Sequence, residues 1–124
     1  MKTLAVALLL AGAPGGIVPL APLPDGSVAR GRAPVFRMHV RGPGQVWVHV
    51  CRSGKRSRAG TICSHASLGR ARAVGGVYRY KPRFYDFPSF WLNRPGTYYW
   101  QAVRIHCIRR DCQQQGPVVR FRVA

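Results

Sequence analysis

Residues 35–50 read VFRMHVRGPGQVWVHV. Two short runs, VFRMHV and QVWVHV, flank the turn sequence RGPG. In the first, Phe36, Met38 and Val40 alternate with Arg37 and His39; in the second, Val46, Val48 and Val50 alternate with Trp47 and His49. Successive side chains of a strand point to opposite faces, so this period of two predicts half-buried antiparallel strands. The chain closes the same way, with Val119, Phe121 and Val123 set against Arg120 and Arg122. TYYWQAVRIHC (97–107) adds a longer strand, and Ile17–Leu20, Ala71–Val74 and Val77–Tyr80 add weaker ones. Ten Pro and fourteen Gly are scattered along the chain, no long segment has a helical period, and no repeat is visible. Six or seven short strands predict an all-β domain, a β-sandwich.

The 97–107 strand poses a register problem. If Tyr98, Trp100 and Ala102 face the core, Arg104 follows them inward, and burying an unpaired Arg costs several kcal/mol. The opposite register sends Gln101 inward and exposes Trp100. A bulge near Ala102 and Val103 resolves the conflict, with Trp100 in the core and Val103 and Ile105 packed after it.

The chain opens on MKTLAVALLLAGA. Lys2, the apolar run Leu4–Ala11 and the small residues Ala11 and Ala13 have the layout of a secretory signal peptide, too short to span a bilayer. Pro14 disfavours cleavage directly after Ala13, which moves the expected cut to Gly15 or Gly16. The organisation is therefore a signal peptide over 1–16 and one domain over 17–124, expected in a secreted, extracellular setting. About 110 residues suffice for a single core burying roughly 65% of the unfolded surface. In such a compartment four Cys imply two disulfides before they imply a metal.

The charge is extreme: 17 Arg and 3 Lys stand against Asp25, Asp86 and Asp111, with no Glu, for a net charge of +17. That field attracts nucleic acid, acidic glycans, wall polymers and lipid headgroups. A GC-biased genome also loads a chain with Arg, Ala, Gly, Pro and Val, so charge alone defines no site.

LNRPGTYYWQAV (92–103) resembles the corner between strands E and F of fibronectin type III-like domains, where a Leu, a Pro-Gly-Thr turn and an aromatic-rich strand follow one another. PLPDGSVARGRAPVFRMHV resembles their A and B strands, and GPVVRFRVA their G strand. Met38 departs from the family, in which that position is commonly Trp, and the Cys51–Cys63 insertion has no counterpart. The resemblance covers residues 17 to 124 and is nearest to the small exported bacterial versions of the domain. It implies an immunoglobulin-like sandwich of about seven antiparallel strands, acting as a binding or spacer module with no catalytic residues. In that sandwich Cys51 ends strand C at one pole and Cys107 ends strand F at the other, roughly 20 Å away at the strand rise. A disulfide needs Cα atoms within about 7 Å. Of the three pairings open to four Cys, the expected one joins Cys51 to Cys63 and Cys107 to Cys112.

Two basic surfaces are candidates. The closed loop CRSGKRSRAGTIC (51–63) carries Arg52, Lys55, Arg56 and Arg58, with Arg70 and Arg72 a turn later. A cross-linked loop loses less entropy on ordering, and Arg is suited to bidentate contact with phosphate, sulfate or carboxylate. The second candidate is an outer face shared by Trp47, His49, Arg104, His106, Arg120 and Arg122, where aromatics and Arg together stack on bases or sugars. Against it, the aromatic-rich segment KPRFYDFPSFW (81–91) is a candidate cover for Trp47. Catalysis has little support: Ser64, His65 and Asp86 have no telling spacing, and no elbow, phosphate loop or zinc motif occurs. His65 and His106 adjoin Cys63 and Cys107 without metal-ligand spacing, so no metal or cofactor is expected. The expected function is a secreted, non-catalytic interaction module for a protein or acidic polymer at the cell surface. The alternative is a cationic effector acting on nucleic acid or anionic membranes. Apolar residues spent on alternating strands, rather than on an amphipathic helix, count against membrane disruption and stable insertion.

Overall fold

The computed structural model describes residues 16–30, 34–58, 60–62, 68–82, 94–107 and 112–124. These form nine strands: β1 Ile17–Ala21, β2 Gly26–Val28, β3 Phe36–Val40, β4 Gln45–Cys51, β5 Leu68–Val74, β6 Val77–Tyr80, β7 Gly96–Ile105, β8 Gln113–Gln115 and β9 Val119–Val123. The strand order is β1-β3-β6-β5-β4-β7-β9-β2, with β8 also on β7. All pairings are antiparallel except β2 with β9, which is parallel.

All-β is therefore correct, but the expected pair of separate antiparallel sheets gives way to one strongly curled, mixed sheet. β5 is the reason. Its first half pairs with β4, as far as Ala71 opposite Val46, and its second half pairs with β6 from Arg72 opposite Arg79 onward. One strand thus carries the hydrogen-bond ladder around the bend. Gly69 makes the bend close-packed, since the Tyr80 ring occupies the space where a Cβ would stand.

The concave side holds the core. Val46, Val48 and Val50 of β4, Phe36 and Met38 of β3, Phe121 of β9 and Trp100 of β7 are fully or almost fully buried there. Phe36 is its hub, with ring centroids 5.3 Å from Trp100, 6.0 Å from Tyr80 and 6.0 Å from Phe121. The first and third of these distances belong to edge-on pairs, the geometry favoured by the ring quadrupole. The Trp100 indole N–H donates to the Pro22 carbonyl at 3.0 Å, so the one polar atom of the ring is satisfied. Tyr98 is buried against Phe121, and its hydroxyl donates to the Arg94 carbonyl at 2.9 Å, fixing the entry into β7.

The expected bulge is absent. β4 and β7 pair without interruption from Gln45 opposite Ile105 to Cys51 opposite Tyr99. Arg104 does follow Trp100 and Ala102 onto the concave side, because it pairs with Val46. It stands at the end of the strand, where its guanidinium reaches the β3–β4 turn and Nη1 donates to the Pro43 carbonyl at 2.8 Å. The side chain is long enough for the guanidinium tip to leave the core, while Nε stays buried without a hydrogen-bond partner, so the burial cost is reduced rather than removed. Two short strands, β2 and β8, were invisible to the alternation rule: each has three residues, and Gln113–Gln115 has no apolar side.

Tyr98→Phe deletes one partly buried hydrogen bond while keeping the ring. Urea denaturation should show a loss of about 1 kcal/mol. Unchanged stability would mean that the bond does not hold this corner.

Candidate functional site

β7 is buried on both faces. Its convex side carries Gln101 and Val103, and Gln101 is fully buried although no core lies on that side. The cover is the basic loop after β4. Gln101 Oε1 accepts from the Ile62 N–H at 3.0 Å, while Nε2 donates to the carbonyls of Gly60 and Gly116, each at 3.0 Å. Ile62 is buried beside it. Gly54 lies flat on the Tyr99 ring, where a Cβ would come within 2.8 Å of Cδ1.

The outer part of the loop is a small hairpin. Arg56 bridges to Ile62, the Ser57 N–H donates to the Thr61 carbonyl at 2.8 Å, and the Gly60 N–H donates to the Ser57 carbonyl at 2.9 Å. The Ser57 and Thr61 hydroxyls are 3.1 Å apart, and Arg56 Nη1 donates to the Gly60 carbonyl at 3.0 Å. Lys55, Arg56 and Arg58 are exposed on this frame. The described part of the loop is thus ordered by its own hydrogen bonds. Cys51 is disulfide-bonded. Its expected partner Cys63 lies outside the described residues. The other expected bridge, Cys107–Cys112, is present with Cα atoms 5.3 Å apart.

The six candidate residues of the loop surface do not form one cluster. Arg52 turns to the pole of the sheet, its guanidinium carbon 5.0 Å from the Tyr98 ring centroid, and acts as a cation–π lid. Arg70 is across from Trp47, and Arg72 is across from Arg79, on β5, two strands away from β7. The tip residues Lys55, Arg56 and Arg58 are what remains together.

The outer-face set is divided as well. Trp47 and His49 are half-buried on the convex side of β4, and the Trp47 indole N–H donates to Gln45 Oε1 at 3.2 Å. Arg120 and Arg122 are exposed on β9, beyond β7 and its covering loop. Arg120 is engaged: Nε and Nη2 meet Asp25 Oδ1 at 2.8 and 2.7 Å, and the Asp25 N–H donates to the Arg120 carbonyl. The hydrogen bond and charge of Asp25 raise the Arg120 pKa above its ordinary value. Arg104 is on the concave side instead, and His106 is exposed just past β7. The 83–91 part of the proposed cover for Trp47 lies outside the described residues, as do Ser64, His65 and Asp86. Among the described residues no three His, Cys, Asp or Glu side chains converge as metal ligands.

Sequence reasoning missed Gln101. Its signal is a lone amide between Trp100 and Ala102, which the sequence presents as a register conflict. Comparison with protein-family models, curated proteins and solved structures returned no match.

Gln101→Leu leaves the Ile62 N–H and two carbonyls without their partner in a buried place. Each unsatisfied group costs about 1–3 kcal/mol. Denaturation should show a loss of about 2 kcal/mol or more, with faster amide exchange at Ile62. A stable variant with slow Ile62 exchange would show that the loop holds itself without the clip.

Proposed function

We propose that this chain is an exported, non-catalytic interaction module of fibronectin type III-like ancestry that contacts an acidic polymer at the cell surface. The fold part of the reading is supported by the strand order. β1, β3 and β6 stand for strands A, B and E, while β4, β7 and β9 stand for C, F and G. The Tyr98 hydroxyl bonded to the Arg94 carbonyl has the form of the tyrosine corner of immunoglobulin-like sandwiches. The continuous β5, which joins the two halves, is the departure from that plan.

The observation that carries the functional part is the clipped basic loop. Lys55, Arg56 and Arg58 project from a hairpin whose base is buried against β7, so little conformational entropy is lost when an anion is bound. Arg contributes paired N–H donors that match carboxylate, sulfate and phosphate geometry. A disulfide at Cys107–Cys112 agrees with an oxidising, exported setting.

Binding to an acidic polymer across a salt series tests this reading. Replacing Lys55, Arg56 and Arg58 by Ser should lower affinity ten- to a hundredfold near 0.15 M salt. The slope of log affinity against log salt should fall by roughly 2 to 3. Replacing Arg30, Arg41 and Lys81 by Ser removes the same charge elsewhere and should cost much less. Equal losses in the two variants would reduce the interaction to net charge and overturn the reading.

A further inference from the structure

The pairing register brings together three arginines that are far apart in sequence. Arg37 of β3 is directly opposite Arg79 of β6, and Arg79 is directly opposite Arg72 of β5. All three are exposed, and all lie on the convex side, because their neighbours Phe36, Met38, Ala71 and Tyr80 face the core. Directly opposed side chains have Cβ atoms about 4.5–5.5 Å apart, and like charges so placed destabilise a sheet. Across three strands the row spans about 10 Å. Arg70, two residues from Arg72 on the same face of β5, continues it toward Trp47, its cross-strand partner. Beside the row, where β5 parts from β4, is a pocket of about 370 Å³ touched by Gly44, Gln45, Arg70, Arg72 and Tyr78.

Nothing within the described residues neutralises this row. Asp25 is the only described acidic side chain, and Arg120 holds it on the far side of the sheet. No side-chain hydrogen bond or ion pair engages Arg37, Arg70, Arg72 or Arg79 among the described residues. A file of opposed guanidinium groups is complementary to a file of anions.

We infer that the Arg37–Arg79–Arg72 row binds the phosphate backbone of a single-stranded polynucleotide, with Arg70 extending the row and Trp47 offering a stacking surface for a base. This rests on the reading of the chain as an acidic-polymer module and adds a second surface to it. Three features select this ligand. The row is entirely Arg, whose planar fork pairs with phosphate oxygens. The face is convex, so a flexible strand follows it while a stiff duplex touches it only tangentially. An aromatic ring flanks the basic row, the combination that single-strand binders use.

The test is fluorescence anisotropy of a labelled deoxythymidine oligonucleotide of about 12 nucleotides, in a salt series, using the oxidised full chain. Replacing Arg37, Arg72 and Arg79 by Ser should lower the salt slope by about 2, at roughly 0.7 per contact on single strands. The Trp47→Leu variant should lose affinity by about tenfold with the slope unchanged. Removing the opposed charges should leave the melting temperature equal to or above that of the wild type, which separates lost binding from lost folding. The inference is overturned if the row variant behaves like the Arg30, Arg41 and Lys81 control. It is equally overturned if inorganic polyphosphate or a sulfated glycan competes as well as unlabelled oligonucleotide at equal charge. If only the loop variant loses binding, the module reading stands and the row falls. If the wild type binds no polyanion near 0.15 M salt, both fall.

Discussion

The rest of this structure depends on the burial of β7 from both sides. Tyr98, Trp100 and Ala102 fill the concave core, while Gln101 and Val103 are covered on the convex side. A strand covered twice cannot leave a polar side chain unsatisfied, because a buried amide without partners costs more than its hydrogen bonds return. Gln101 meets that requirement by holding three backbone groups of two loops. The basic loop is thereby set against the sheet, with its charges outward and Ile62 inward. Core formation and presentation of the loop are one event.

Much of the architecture could be read from residue alternation. Phe36 and Met38, Val46, Val48 and Val50, and Val119, Phe121 and Val123 all face the core as their period of two requires. Trp100 does too, without a bulge on the β4 side. A bulge would keep Arg104 out of the core, yet Arg104 stands at the end of the strand, where its guanidinium reaches the Pro43 carbonyl and only Nε stays buried without a partner. Position along a strand, not face alone, decides whether an inward charge is costly. What could not be read was the pairing between strands remote in sequence. Arg37, Arg72 and Arg79 look like ordinary outward residues one at a time, and only the register makes them a row. The parallel β2–β9 pairing and the sheet-crossing β5 were hidden for the same reason.

The abundance of Arg takes on different meanings by position. Arg52 and Arg104 act as lids at the two ends of the curled sheet, one over Tyr98 and one on the Pro43 carbonyl. Arg120 docks the Asp25 turn onto β9, in a pair more than half exposed on both sides and so weakened by solvent screening. A general excess of Arg says nothing about such placements. The opposed row is different again, because it lowers stability wherever no anion is bound.

The most direct measurement is a ¹⁵N–¹H correlation spectrum of the full oxidised chain titrated with the single-stranded oligonucleotide near 0.15 M salt. The account predicts shifts confined to two patches, one at residues 55–58 and one across β3, β6 and β5 around Arg37, Arg79, Arg72 and Arg70, reaching Trp47 of β4. β9 around Arg120 and Arg122 should stay still. Shifts spread evenly over every exposed arginine would contradict it and leave a protein whose charge attracts anions without placing them.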